Sequence, residues 1–383
     1  MEVEEPAPID GDCDPRFEAV WSAFVDNFAE RGELGAAVCV VVDDVIVVDL
    51  VGGWADGARS RPWTADTIAD FYSVGKGLLS LLLLRLVDTG AVDLDDPIAA
   101  VWPEFASRGK DGTTLRHALT HRAGVPAIRR RLTDDDLFDW DVMTGALAAT
   151  EPWWPPGEQL AYHVNTFGHL VGELVRRIGG VMPGDALSDL AGLLGADVHF
   201  GVPEDQQDRC AETVWDPAFS VPAFDLDRLE GIQLLHALAH FNPPGYSSVG
   251  VMNTSRWRSS QIGSTSGHGS AQGIARVYAA LLDDGRLLSG PLIEEATRVQ
   301  ATGHCPILDD DLSYGLGFAT TTTRRPLGPN PGAFGHFGTG GSLGFADPVD
   351  RVAFGYVMNH VIPRWQSTRN RALIDAVYAS LDA

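Results

Sequence analysis

Two serine–lysine pairs, each with a spacing of three residues, are the first candidates for chemistry in this chain. They contain its only two lysines, Lys76 and Lys110, which follow Ser73 and Ser107. Residues i and i+3 share one face of a helix, so each amine can lie beside its hydroxyl. A hydroxyl with an adjacent base, at a helix N-terminus with free backbone N–H groups, is an activated nucleophile. The spacing alone does not distinguish the two pairs.

The residues that follow each pair do distinguish them. Ser73-Val74-Gly75-Lys76 opens a leucine-rich run over 78–84, which predicts a buried helix too short to span a membrane. The segment 107–112 is rich in turn residues and no apolar helix follows it, so we interpret it as a solvated loop. The alternative for Ser73 is a serine at a helix start whose lysine points to solvent.

The composition limits the classes of partner. The chain has 383 residues, a net charge of −24 and 45% hydrophobic residues, which is typical of a globular protein that binds neither nucleic acid nor anionic membranes. Its four cysteines are widely spaced, without metal-ligand spacing or a disulfide framework. The acidic N-terminus has no secretory-signal pattern. We expect a cytoplasmic protein without metal or cofactor.

The pattern of elements predicts an α+β fold. A helix begins near Pro15, a buried β-hairpin covers 36–42 and 45–51, and 78–245 is mainly helical. A helix over 271–282, strands over 314–321, 335–345 and 352–359, and a helix from about Ser367 follow. These predict an antiparallel sheet flanked by the terminal helices. We expect a discontinuous sheet lobe (11–72 and 260–383), a mostly helical lobe (73–259) and a catalytic cleft between them.

Several motifs in this order resemble those of the β-lactamase-like serine hydrolases, over about 15–380. This superfamily includes penicillin-binding proteins, class C β-lactamases and the family VIII carboxylesterases, to which the chain is most similar. Ser73-x-x-Lys76 matches the first motif, and Tyr162 lies in the segment that carries the second. His336-Phe337-Gly338-Thr339-Gly340-Gly341 occupies the place of the lactamase Lys-Thr-Gly. The segment 114–126 resembles a structural signature of the superfamily.

The resemblance implies a role for each catalytic residue. Ser73 would be the nucleophile, and Lys76 would accept its proton if burial lowers the pKa of the amine. Tyr162 would share the role of base and later protonate the leaving alkoxide, with Tyr72 as a weaker alternative. The backbone N–H groups of Ser73 and Thr339 would form the oxyanion hole.

A second group of residues is expected to contact substrate: His336, Phe337, Gly338, Gly340 and Trp154. Two features differ from the lactamases. Val164 replaces the asparagine of a Tyr-x-Asn motif, with Asn165 one place later, and His336 replaces the usual lysine. An imidazole holds a substrate carboxylate less well than an ammonium, which favours uncharged esters. We expect His117, His121, His163 and His169 to be packing residues.

The sequence therefore predicts a serine esterase that hydrolyses short-acyl carboxylic esters through an acyl-enzyme. Alternatives in the same superfamily are a β-lactamase, a D-amino-acid amidase or peptidase, and an acyltransferase to an alcohol. A penicillin-binding sensor with negligible turnover is the alternative from outside the enzymes. The expected partner is a small ester, and the sequence leaves the oligomeric state open.

Overall fold

The computed structural model describes residues 7–219, 225–247, 250–362 and 367–382. The N-terminal segment 1–6, to which the prediction about a secretory signal refers, lies outside these residues. The helices are α1 Glu18–Glu30, α2 Val74–Asp88, α3 Leu115–Leu119, α4 Trp140–Ala149, α5 Thr166–Gly179, α6 Pro183–Leu194, α7 Gly231–Phe241, α8 Ser255–Arg258, α9 Ala271–Ala280, α10 Gly290–Thr297 and α11 Thr368–Leu381. The strands are β1 Ile9–Cys13, β2 Gly35–Val42, β3 Val45–Gly53, β4 Ala69–Asp70, β5 Val198–His199, β6 Val214–Trp215, β7 His268–Gly269, β8 Ala301–Cys305, β9 Asp310–Tyr314, β10 Ala319–Thr320, β11 Phe334–Phe337, β12 Leu343–Asp347, β13 Val352–Met358 and β14 His360–Val361.

A nine-stranded antiparallel sheet joins the two ends of the chain. Its order is β1-β3-β2-β13-β12-β11-β10-β9-β8, and β2 pairs with β13 from Val42 opposite Val352 to Ala36 opposite Met358. Helix α9 packs on β2, β12 and β13, and α1 packs against α11. The predicted α+β fold, with terminal helices on an antiparallel sheet, is confirmed.

Two predicted strands are wrong in their bounds. The segment 335–345 is not one strand, because β11 and β12 are separate strands joined by the turn Thr339–Gly341. Gly340 and Gly341 have φ of 84° and 112°, a region that L-residues avoid. These glycines let the chain reverse, whereas we had predicted one strand whose glycines allow a close approach to substrate. The segment 314–321 likewise contains the end of β9, a turn and β10.

Helix α2 lies between the sheet and the helical part of the chain. Every residue from Val74 to Leu84 is buried, and the helix packs against α5, α6 and β11. Each buried leucine contributes about 1.5–3 kcal/mol to stability, which accounts for the leucine run. Among the described residues, no helix combines the length and hydropathy needed to cross a membrane. The division into two lobes stays a prediction.

Candidate active site

Ser73 and Lys76 form a buried hydrogen-bonded pair at the N-terminus of α2. Ser73 is the residue before the helix, and the Lys76 Nζ lies 2.9 Å from the Ser73 Oγ. The Lys76 Nζ also donates to the carbonyl oxygen of Ser264 at 3.1 Å, and the Ser73 hydroxyl lies 3.3 Å from that oxygen. The alternative in which Lys76 points to solvent is wrong, because Lys76 is completely buried.

Gly75 allows the segment containing Ser264 to approach the helix. A Cβ at position 75 would lie 2.3 Å from the Gly263 carbonyl oxygen, a distance that no side chain can occupy. The Ser264 hydroxyl in turn donates to the Asn165 carbonyl at 3.1 Å. The backbone of 263–264 therefore contacts both Ser73 and Lys76. A motif of side chains could not have predicted this backbone contact.

The surroundings of Lys76 favour its neutral form. Burial lowers the pKa of the amine well below its usual value, because the charged form loses its hydration. No acidic side chain among the described residues pairs with it. A neutral amine has a lone pair, and at 2.9 Å that lone pair can accept the Ser73 proton.

Tyr162 lies beside this pair. The Lys76 Nζ is 4.9 Å from the centroid of the Tyr162 ring, and the Tyr162 residue is completely buried. Burial raises the pKa of Tyr162, and a hydrogen bond with the Ser73 hydroxyl and the charge of Arg325 offset only part of that rise. Tyr162 therefore remains a phenol at neutral pH. Arg325, a loop residue that sequence reasoning missed, is the cation that lowers the pKa of Tyr162.

Tyr72 has a different position from Tyr162. It has φ of +49°, a strained conformation for a bulky residue that costs about 1–3 kcal/mol. Its backbone N–H donates to the buried carboxyl of Asp70 at 2.8 Å, and the Trp257 indole N–H donates to the other Asp70 oxygen at 2.9 Å. Asp70 thus holds the turn that presents Ser73.

The 338–342 segment brings the second oxyanion candidate close to Ser73. The Ser342 hydroxyl donates to the Phe71 carbonyl at 3.0 Å, two residues before Ser73. A Cβ at Gly338 would lie 2.0 Å from the Ser342 Oγ and 2.5 Å from the Phe71 oxygen. The backbone hydrogen bonds around the described turns use neither the Ser73 N–H nor the Thr339 N–H, so both remain available to an oxyanion.

His336 is buried and neutral. Burial, the largest cause, and the neighbouring Lys76 lower its pKa to about 3. Its Nδ1 lies 2.8 Å from the Phe337 carbonyl oxygen, which can only accept, so Nδ1 carries the proton. The Nε2 is then an acceptor, and it has no hydrogen-bond partner among the described residues. An acceptor nitrogen repels a carboxylate.

The other sequence candidates pack either beside Tyr162 or elsewhere in the core. The His121 ring is 4.6 Å from the Tyr162 ring, and Trp154 packs on the hydrophobic cluster that contains Tyr162. His163 and His169 are buried, while His117 caps α3 through Thr114. Asn165 does not replace the lactamase asparagine, because its side-chain amide donates to the Ala239 carbonyl at 2.9 Å.

The second pair, Ser107 and Lys110, is not the solvated loop that we predicted. Ser107 is exposed, but Lys110 is completely buried and donates to the carbonyl oxygens of Ser107, Ala148 and Thr150 at 2.8, 2.9 and 2.6 Å. Lys110 therefore closes the C-terminal end of α4, where carbonyls lack intrahelical partners. A nearby surface cleft of about 470 Å³, lined by Arg108, Arg129 and Arg130, contains none of the predicted site residues.

The comparisons with known proteins identify the family of this chain. The Beta-lactamase family model matches residues 21–379. The esterase/beta-lactamase LipL of Mycobacterium tuberculosis is 33% identical over 367 residues, which are 92% of this chain and 83% of that protein. The chain belongs to the beta-lactamase family. This confirms the family predicted from the motifs.

Solved structures of other beta-lactamase-family proteins superpose over almost the whole chain. A family VIII carboxylesterase has a TM-score of 0.90 and 35% identity, over 97% of this chain and 100% of that one. A penicillin-binding protein homologue from Caulobacter crescentus has a TM-score of 0.89 and 38% identity, over the same shares. Both proteins have the arrangement of sheet and helices that places Ser73 at the start of a buried helix here.

Proposed function

We propose that this protein is a serine carboxylesterase that hydrolyses short-acyl esters through an acyl-enzyme. The observation that carries the proposal is the buried contact of 2.9 Å between the Ser73 Oγ and a Lys76 amine that has no acidic partner among the described residues. Two similar proteins, the esterase/beta-lactamase LipL and a family VIII carboxylesterase, support this activity. The cytoplasmic location stays a prediction from the sequence.

The lowered pKa of Lys76 and the raised pKa of Tyr162 make Lys76 the base and Tyr162 the acid. In acylation, the neutral Lys76 amine accepts the Ser73 proton as the Oγ attacks the ester carbonyl. The N–H groups of Ser73 and Thr339 stabilise the oxyanion, each contributing about 3 kcal/mol. Tyr162, which remains protonated, donates its proton to the leaving alkoxide and is reprotonated through Lys76. In deacylation the same groups activate water and return the proton to Ser73.

The charges around the site favour uncharged substrates. The neutral His336 presents an acceptor where the lactamase lysine would present a donor, and the Arg325 guanidinium is paired with Asp310. These features support uncharged esters over anionic lactams, and the preference for acetate and butyrate esters stays an expectation from the sequence.

A panel of p-nitrophenyl esters from C2 to C12, with nitrocefin and a D-alanyl anilide beside it, tests the proposal. We expect steady-state turnover that is greatest for C2 to C4 and abolished in Ser73→Ala. A single stoichiometric burst would instead indicate a penicillin-binding sensor. Transfer of the acyl group to an added alcohol, with little hydrolysis, would indicate an acyltransferase.

A further inference from the structure

A buried ion pair lies behind the turn that carries Thr339. The Arg369 Nη1 contacts the Glu33 Oε1 at 2.6 Å, and the two side chains are 1% and 0% exposed. Tyr356 donates its hydroxyl proton to the other Glu33 oxygen. This pair joins the loop after α1 to the first turn of α11, which are distant in sequence.

The same arginine binds the turn directly. The Arg369 Nη2 donates to the Gly340 carbonyl at 3.2 Å and to the His360 carbonyl at 3.0 Å. The next residue, Asn370, donates its side-chain amide to the Gly341 carbonyl at 2.8 Å. Two successive side chains of α11 therefore fix two successive carbonyls of the turn, immediately after Thr339.

Stability alone does not account for an arginine at this place. A buried ion pair loses the hydration of both ions, and apolar residues of similar volume are often equally stabilising. What arginine adds is a planar fork of donors. One nitrogen neutralises Glu33 while the other holds two carbonyls, and a lysine has a single nitrogen for both tasks.

We propose that Arg369 and Glu33 are positioning residues for the oxyanion hole, because they fix the peptides that orient the Thr339 N–H. Arg369 holds the Gly340 carbonyl, and the N–H of the same peptide, that of Gly341, donates to the Gly338 carbonyl at 3.2 Å. The Gly338 carbonyl belongs to the peptide that carries the Thr339 N–H. The inference rests on the proposed function, which assigns that N–H to the oxyanion. Gly340 and Gly341 have no side chains with which to hold their own conformation. The turn thus depends on α11 for its geometry.

Arg369→Lys tests the proposal with Arg371→Lys as the matched control. Arg371 lies on the same helix and forms a partly exposed pair with Asp375. Losing a whole oxyanion donor costs about 10² to 10³ in kcat, so a displaced donor should lower the kcat of Arg369→Lys for p-nitrophenyl butyrate by about 10- to 100-fold. KM should stay within about twofold, and Arg371→Lys should match the wild type.

A thionoester of the same acid and alcohol separates positioning from stability. Its developing negative charge is on sulfur, which gains less from N–H donors sized for oxygen, so a misplaced donor should slow the thionoester much less. We expect the ester-to-thionoester ratio of kcat to fall at least about tenfold in Arg369→Lys. Equal losses for both substrates, or none, would overturn the proposal, since a merely structural pair would lower only the melting temperature.

Hydrogen–deuterium exchange of the 338–342 amides supplies a readout that does not need turnover. Exchange should be at least about tenfold faster in Arg369→Lys than in Arg371→Lys, and equal rates would overturn the positioning role. If the wild type hydrolyses no ester, the proposed function fails, and exchange still tests the turn. If Arg369→Lys does not fold, the double variant Glu33→Leu/Arg369→Met removes both charges together and takes its place in all three measurements.

Discussion

The Ser73–Lys76 and Ser107–Lys110 pairs have the same spacing but lie at opposite ends of helices. Ser73 and Lys76 are at the N-terminus of α2, where the Lys76 amine contacts one hydroxyl and one carbonyl. Lys110 is at the C-terminus of α4, where its amine contacts three carbonyls. Both lysines are completely buried, so burial does not distinguish them.

Loss of hydration and the helix end both act on the charge of each amine. A helix N-terminus carries a partial positive charge that opposes an ammonium, and a C-terminus carries a partial negative charge that stabilises one. Burial lowers the pKa of Lys76 well below its usual value. Burial and Arg108 lower the pKa of Lys110 only to about 8, so Lys110 is a cation at neutral pH. One lysine can be a base, and the other is a helix cap.

The largest expected difference is between the two serines. Ser73→Ala removes the proposed nucleophile, so kcat should fall by about 10⁴-fold or more. Ser107→Ala removes only a hydrogen bond to the Ala148 carbonyl and should keep wild-type activity. A fluorophosphonate probe should label Ser73, as read by mass spectrometry. Labelling at Ser107, or full activity of Ser73→Ala, would show that the site is misplaced.

Replacing each lysine by methionine should have opposite effects: Lys76→Met should lower activity, and Lys110→Met should lower stability. Lys76→Met should lower kcat by about 10⁴-fold and leave the free energy of unfolding unchanged or slightly higher, because a poorly solvated amine is removed. Lys110→Met should lower the free energy of unfolding by about 2–4 kcal/mol, because the Ser107 and Thr150 carbonyls lose their donor and the Ala148 carbonyl keeps only the Ser107 hydroxyl.

Urea unfolding gives the free energy of unfolding of both methionine variants, and kcat gives their activity; together they test the two roles. The kcat of folded Lys110→Met should equal that of the wild type. A large loss of activity in Lys110→Met, measured well below its unfolding midpoint, would contradict the assignment of Lys110 as a helix cap.

Tyr162 is a further difference between the two pairs, because its phenol lies beside Ser73 and Lys76 and not beside Lys110. Tyr162→Phe keeps the ring and should lower kcat by about 10² to 10⁴ with little change in melting temperature. Tyr72→Phe is the control, since Tyr72 has Asp70 rather than Ser73 as its electrostatic neighbour. If both variants stay active, Lys76 alone serves the proton transfers. If only Tyr72→Phe is inactive, the acid has been placed on the wrong tyrosine.

The smallest expected effect concerns substrate charge. Because His336 is neutral and presents an acceptor, nitrocefin should have a kcat/KM at least about 100-fold below that of p-nitrophenyl acetate, or about 2.7 kcal/mol. The pKa of His336 is about 3, so protonation of His336 should give no step in the ester profile between pH 5 and 8. Similar kcat/KM values for the two substrates would refute the preference for neutral esters.

Much of the fold was predictable because its patterns are local. The helix from Ala271 follows a serine cap at Ser270 that accepts from the Gly273 N–H, and the β2–β3 hairpin follows apolar runs around Asp43-Asp44. The strand over 335–345 was not predictable in the same way. Its glycines were compatible with a strand that approaches substrate and with a turn, and the contacts of Arg369 and Asn370 that hold the turn come from 29 residues further along the chain.

The sequence by itself determined that Ser73 and Lys76 share a helix face, because a spacing of three residues fixes that geometry whatever surrounds it. It could not determine that Lys110, with the same spacing, is buried. The carbonyls of Ala148 and Thr150 that bind Lys110 come from about 40 residues further along the chain. Only the tertiary structure decided which amine meets a carbonyl cluster and which meets a hydroxyl. The pKa of a lysine depends on these neighbours and on its hydration, and neither is encoded within the four residues of the motif.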